Sequence, residues 1–190
     1  MKIDEIMITE INQRIYQWLQ QQFPKWPEYV VKDMLYKNAR SIFKDTPSDR
    51  MRAELGAYVD RTKQDMGRVT WALDRQFSVT EDTFTPETQK TMKMRQGGSA
   101  NPFAVPKDAE RHSAQQALLT QKGISSEPII VIKLHNGYDL LEGWHRTIQT
   151  MKKYPGGYKC PAWVGVGASY QTAAQAVIVP VMQKADQMAA

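Results

Sequence analysis

The stretch EPIIVIKLHNGYDLLEGWHRTIQTM, Glu127 to Met151, holds two strands, a turn and the start of a helix in one run. Pro128 to Leu134 reads as a buried strand: Ile129, Ile130, Val131 and Ile132 are β-branched, and a proline is tolerated only at a strand's first position or on an edge. Asn136-Gly137 has the chemistry of a two-residue type I′ turn, in which both central residues take positive φ, so Tyr138 to Leu141 is expected to return antiparallel. Beyond Gly143, the residues Trp144, Ile148 and Met151 recur with helical spacing. The second strand therefore runs through a glycine into a helix N-terminus.

Such a terminus presents unpaired backbone N–H groups and a partial positive charge, which favour an anion by about 0.3–1 kcal/mol. Gly143 would let a ligand approach the backbone. His145, Arg146 and Thr147 add an imidazole, a guanidinium fork and a hydroxyl in the same turn, a candidate cradle for a phosphate. His145 reads either as a proton shuttle and phosphate donor or as a structural histidine at a helix start. Glu142 reads as a general base, as a ligand for Mg²⁺ beside a nucleotide, as the orienting partner of Arg146, or as a solvated strand-end charge. Glu127, from the start of the first strand, is a further candidate. Trp144 either stacks on a base or sugar or fills the core, and His135 is an exposed turn residue.

GYDLLEGWHRT resembles the strand–glycine–helix signature of the ParB/sulfiredoxin superfamily, in which a Gly-x-His-Arg or Gly-x-x-Arg turn grips a nucleotide phosphate. The preceding SAQQALLTQKGISSEPIIV is similar to the family's lead-in of a helix, a glycine and a strand opened by proline. The resemblance spans roughly residues 105 to 168. It implies a small ParB/sulfiredoxin-like α/β unit with a mixed sheet, and ATP or another nucleotide, with Mg²⁺, as ligand. Site residues on this basis are Gly143, Trp144, His145, Arg146 and Thr147, with Glu142 and His145 as candidate catalytic groups. Many stand-alone members of this kind look like phage or mobile-element proteins. Two departures narrow the expectation. Sulfiredoxins carry their catalytic cysteine where this chain has Trp144, so sulfinic acid reduction is not expected; Cys160, the only cysteine, lies beyond the helix. Chromosome-partitioning members have a more basic turn followed by a helix-turn-helix and a dimerisation domain, so centromere clamping is not expected either.

Composition sets the outer bounds. In 190 residues, 42% are hydrophobic and 24% charged, with a formal charge of +5. That charge tolerates a DNA partner without requiring one. A single cysteine allows no internal disulfide, and no Cys/His cluster has zinc spacing. MKIDEIMITE has neither a basic n-region nor an apolar h-region, and no apolar run reaches the roughly 20 residues of a membrane span. A cytoplasmic protein is expected, within the host if phage-encoded.

Residues 1–77 read as a helical region. Ile11, Ile15, Trp18, Leu19 and Phe23 line one face of a helix that Pro24 ends, and Pro27 starts a second with Val30, Val31, Met34, Leu35, Ile42 and Phe43 as its stripe. Thr46-Pro47 with Asp49 caps a third before Met51, Leu55 and Tyr58, and a fourth is expected over about Met66–Gln76. Residues 78–105 read as a connector with a short helix nucleated by Thr85-Pro86-Glu87, stopped by Gly97-Gly98 and made basic by Lys90, Lys93 and Arg95. The α/β unit then takes residues 106–190. Its first helix, Pro106–Gln121, carries Arg111 and His112, which can face the cradle. Tyr158 to Gly165 forms a third strand, and Ser169 caps a last helix, Tyr170–Met188, kinked at Pro180.

The fold class expected is α+β. Three functions fit it: phosphotransfer from ATP or ADP, or nucleotide hydrolysis; a nucleotide-gated DNA-binding module; and a ParB-like nuclease holding DNA backbone at the same site.

Overall fold

The computed structural model describes residues 3–43, 48–96 and 108–168. It divides into two compact units, one reaching Trp71 and one spanning Ala72–Val166. The expected Thr46-Pro47 cap, the Gly97-Gly98 stop and the helix Tyr170–Met188 lie outside the described residues.

The first unit is helical. Helix α1, Ile3–Gln22, ends just before Pro24 and buries Ile15 and Leu19 along one face, with Phe23 buried just past its end. After Pro27 come α2 (Glu28–Val30), a π-helical segment (Val31–Tyr36) and α3 (Lys37–Phe43), which bury Val30, Val31, Met34, Leu35 and Ala39. A π turn leaves carbonyls without their usual partners. Tyr58, on α4 (Ser48–Met66), donates its hydroxyl to the Leu35 carbonyl at 3.4 Å. Phe23, Trp26 and Trp71 form an aromatic chain, with ring centroids 4.6 and 5.3 Å apart.

The fourth helix expected over Met66–Gln76 does not form. Helix α4 stops at Met66, and Thr70–Val79 is strand β1. Gly67 donates to the Lys63 carbonyl at 2.8 Å and breaks the helix. From there Val69, Trp71, Leu73, Phe77 and Val79 fall on one face at a period of two, interrupted there by Arg75, and Phe77 and Val79 are seated in the core.

The second unit has a four-stranded mixed sheet in the order β1-β4-β2-β3. Strand β2, Ile129–Leu134, pairs antiparallel with β3, Gly137–Glu142, and parallel with β4, Tyr158–Val166. Ile129 to Ile132 are all buried, as a central strand covered on both faces requires. The architecture is α+β, with helices first and a mixed sheet after. The hairpin differs from expectation in its turn. Leu134 faces Gly137, so His135 and Asn136 are the turn residues, and neither has positive φ. Type I′ geometry is absent. Gly137 takes φ 134° instead, and a Cβ there would sit 3.1 Å from the backbone of Phe84 and Thr85, so glycine suits the position on both counts.

That close approach shows what the expected connector does. Helix α5, Pro86–Gln96, begins at the Thr85-Pro86 signal. Phe84 bridges to Tyr138, Thr85 donates its N–H to the Tyr138 carbonyl, and Phe84, Thr85, Thr88 and Met92 are buried. The stretch after β1 is thus built into the α/β unit. Helices α6 (Asp108–Lys122) and α7 (Trp144–Lys153) pack side by side. Ile148 of α7 enters a core with Ile129, Val131, Leu140, Phe77 and Phe84.

Candidate functional site

Gly143 is the N-cap of α7 and lies in the left-handed region, φ 98° and ψ 17°, which β-carbon-bearing residues resist. It offers no capping side chain of its own, and the first N–H groups of a helix have no acceptor within it. The first return bond runs from Thr147 N–H to the Gly143 carbonyl, 2.9 Å. Contrary to the expectation that Gly143 lets a ligand approach the backbone, the space beside its Cα is filled. A Cβ would fall 2.8 Å from Cγ2 of Ile129, so glycine is needed for helix–strand packing.

The four side chains that follow do not converge. Consecutive helical residues are about 100° apart around the axis, so four of them fan through about 300°. Trp144 packs against the core, and the Arg95 guanidinium lies 4.8 Å from its ring centroid. His145 meets His112 of α6 edge to face, centroids 4.9 Å apart. Arg146 donates from Nη1 to Glu127 at 2.5 Å and from Nη2 to the Pro128 carbonyl at 3.1 Å. Thr147, expected in the cradle, is 1% exposed and turns inward. Its hydroxyl has no hydrogen-bond partner among the described residues; Tyr158 is near enough to feel it but outside bonding geometry. Burial pushes the Tyr158 phenol well above its ordinary range; Cys160 reinforces the rise, while Thr147 and Arg146 oppose it.

Of the outlying candidates, Glu127 and His112 reach this turn. His112 is defined on both nitrogens: Nε2 lies 3.2 Å from the Arg95 carbonyl and must donate, leaving Nδ1 to accept from the Gln149 amide at 2.9 Å. It thereby holds the C-terminal end of α5 beside α7. Arg111 is exposed on α6. Glu142 ends β3, half-buried, in register with Ile130. Among the described residues no group of three or more His, Cys, Asp or Glu is gathered for a metal. A single Glu142 carboxylate would need phosphate oxygens and water to complete a Mg²⁺ shell.

Two features escaped the sequence reading. Asp139, 2% exposed, accepts from the hydroxyls of Thr85 at 3.0 Å and Thr88 at 2.5 Å. Since Thr85 Oγ1 also accepts from Thr88 N–H, at 3.2 Å, this carboxylate fastens the N-terminus of α5 to β3. A lone Asp between Tyr138 and Leu140 in an apolar strand was the available signal. The second feature is a cleft of about 400 Å³ between α6, the loop after it and α7. Leu118, Leu119 and Ile124 give it an apolar wall, and Lys122, Glu127 and Arg146 its charged end. Leu118 and Ile124 are exposed, at 43% and 38%.

Among the described residues, no helix is long and apolar enough to cross a membrane. Compared with known proteins, the chain matches no family model, no curated protein and no solved structure.

Proposed function

We propose that this protein binds a nucleotide, with a phosphate at the first turn of α7 and the base and sugar in the cleft that Arg146 borders. The observation that carries the reading is the placement of Arg146. Its guanidinium is anchored on the Pro128 carbonyl at the base of a glycine-started helix N-terminus, and it also lines a cleft with an apolar wall. Backbone N–H groups supply the geometry a phosphate needs even though the side chains fan apart. Arg95 and Lys122 add positive charge, and His145 an imidazole, around the same turn and cleft.

The resemblance to the ParB/sulfiredoxin superfamily supports a nucleotide over other phosphates. On this reading turnover, by phosphotransfer from ATP or ADP or by hydrolysis, falls to Glu142, which immediately precedes Gly143, with Mg²⁺ on its carboxylate, and His145 serves as the proton-transfer group. A cytoplasmic location belongs to the same proposal.

The test is a thermal-shift and calorimetric screen against ATP, ADP, CTP, GTP and short DNA, with and without Mg²⁺. A ligand at a hundred times its Kd stabilises by about 2.7 kcal/mol. Arg146→Ala should weaken nucleotide binding about ten- to a hundredfold, the worth of a charge-assisted pair. Unchanged nucleotide affinity in Arg146→Ala refutes the site, and binding of DNA alone favours the nuclease or DNA-module alternatives.

A further inference from the structure

We infer that Glu127 is a built-in competitor for the anion site, its carboxylate occupying Arg146 until a phosphate displaces it; this rests on the phosphate reading above. The two hydrogen bonds of Arg146 differ in kind. The Pro128 carbonyl, on Nη2, is backbone and stays in place. The same Nη2 lies where a Cβ on Gly143 would come within 3.4 Å, so this end of the fork is packed as well as bonded. The guanidinium side chain is only 14% exposed, whereas that of Glu127 is 74% exposed. Nη1 is therefore a fixed donor whose present partner is a solvated side chain.

Glu127 is positioned to let go without disturbing the fold. Its backbone N–H is held by Ser125 Oγ at 3.1 Å, so the main chain is fixed while the carboxylate rotates into water. Among the described residues it is the only acidic one lining the cleft, which Lys122 and Arg146 also line. An arriving phosphate offers the same acceptor geometry with more charge, and takes over Nη1 while the carboxylate turns outward. The internal ion pair keeps the cleft's charge low in the absence of ligand and raises the ligand concentration at which it half-fills. With the Glu127 end of the pair solvated and screened, its attraction is reduced, which is what an exchangeable partner requires.

The experiment is calorimetric titration of ADP and, separately, inorganic pyrophosphate into wild type, Glu127→Gln, Arg146→Ala and the double variant, at low ionic strength. Glu127→Gln keeps shape and hydrogen bonding but removes the competing charge. It should bind both probes about five- to tenfold tighter than wild type. In the Arg146→Ala background the same change should bring little gain, because nothing remains to compete for. Weaker binding by Glu127→Gln would overturn the inference and make Glu127 a positive contributor, with the phosphate site intact. An equal gain in both backgrounds would also overturn it, since the carboxylate would then act through its general field. If neither probe binds wild type or Glu127→Gln, the phosphate reading falls and the competitor falls with it.

Discussion

Replacing Gly143 with alanine should destabilise the second unit by about 2–5 kcal/mol, from two separable sources. The backbone stands at φ 98°, ψ 17°, where a residue with a Cβ costs roughly 1–2 kcal/mol. The new Cβ would also meet Cγ2 of Ile129 at 2.8 Å. Ile129 is 2% exposed on the central strand and cannot swing away, so relief must come from a shift of α7 against β2, at the roughly 1–3 kcal/mol typical of overpacking. Gly143→Asn separates the two, because it carries the same Cβ but tolerates the left-handed region. It should recover about 1 kcal/mol of the backbone cost and keep the steric one. Urea denaturation followed by far-ultraviolet circular dichroism reads both values. A Gly143→Ala protein within about 0.5 kcal/mol of wild type would refute the reasoning, since neither strain nor contact could then be real.

Asp139→Ala should cost about 2–4 kcal/mol in the same urea assay, because it leaves the buried Thr85 and Thr88 hydroxyls without their acceptor and opens a small cavity; Thr88→Val, which removes one donor, should cost less. Burial pushes the Cys160 thiol up to about 11, against the influence of Arg146, so the folded state retains that proton after the unfolded chain begins to lose it near 9.0. The sign follows: the contribution is complete below about pH 9 and is lost as pH rises to about 11, on the order of 2 kcal/mol, so Cys160→Ala should reduce the slope in urea melts compared across that range, leaving the part that raised tyrosines such as Tyr158 supply above about pH 10. In the native protein at pH 8, alkylation of Cys160 by iodoacetamide should be far slower than in urea, because a buried protonated thiol is a poor nucleophile. Equal rates, read by mass spectrometry, would contradict its placement.

How much of this was legible in the chain depends on whether a feature is set by neighbours in sequence. Strand β2, the hairpin, α7 and α5 were readable because β-branched runs, helical spacing and a Thr-Pro start act over a few residues. The extent of α4 and β1 was misread: Leu73 and Trp71 fit a helical stripe about as well as a strand, and only their pairing into a sheet makes the period-two pattern the one that buries Phe77 and Val79. The turn failed for a tertiary reason too, since Gly137 is glycine to admit the Phe84–Thr85 backbone. At the candidate site the sequence determined a glycine-started helix carrying His145 and Arg146, and it named Glu127 and His112 as possible neighbours. Only the tertiary structure decided which way each side chain faces. Thr147 goes inward, Trp144 lies under Arg95, His145 meets His112, and Arg146 alone turns to both Glu127 and the cleft. A helix distributes consecutive residues around its axis, and the direction each takes is fixed by what the sheet and α6 leave to be filled.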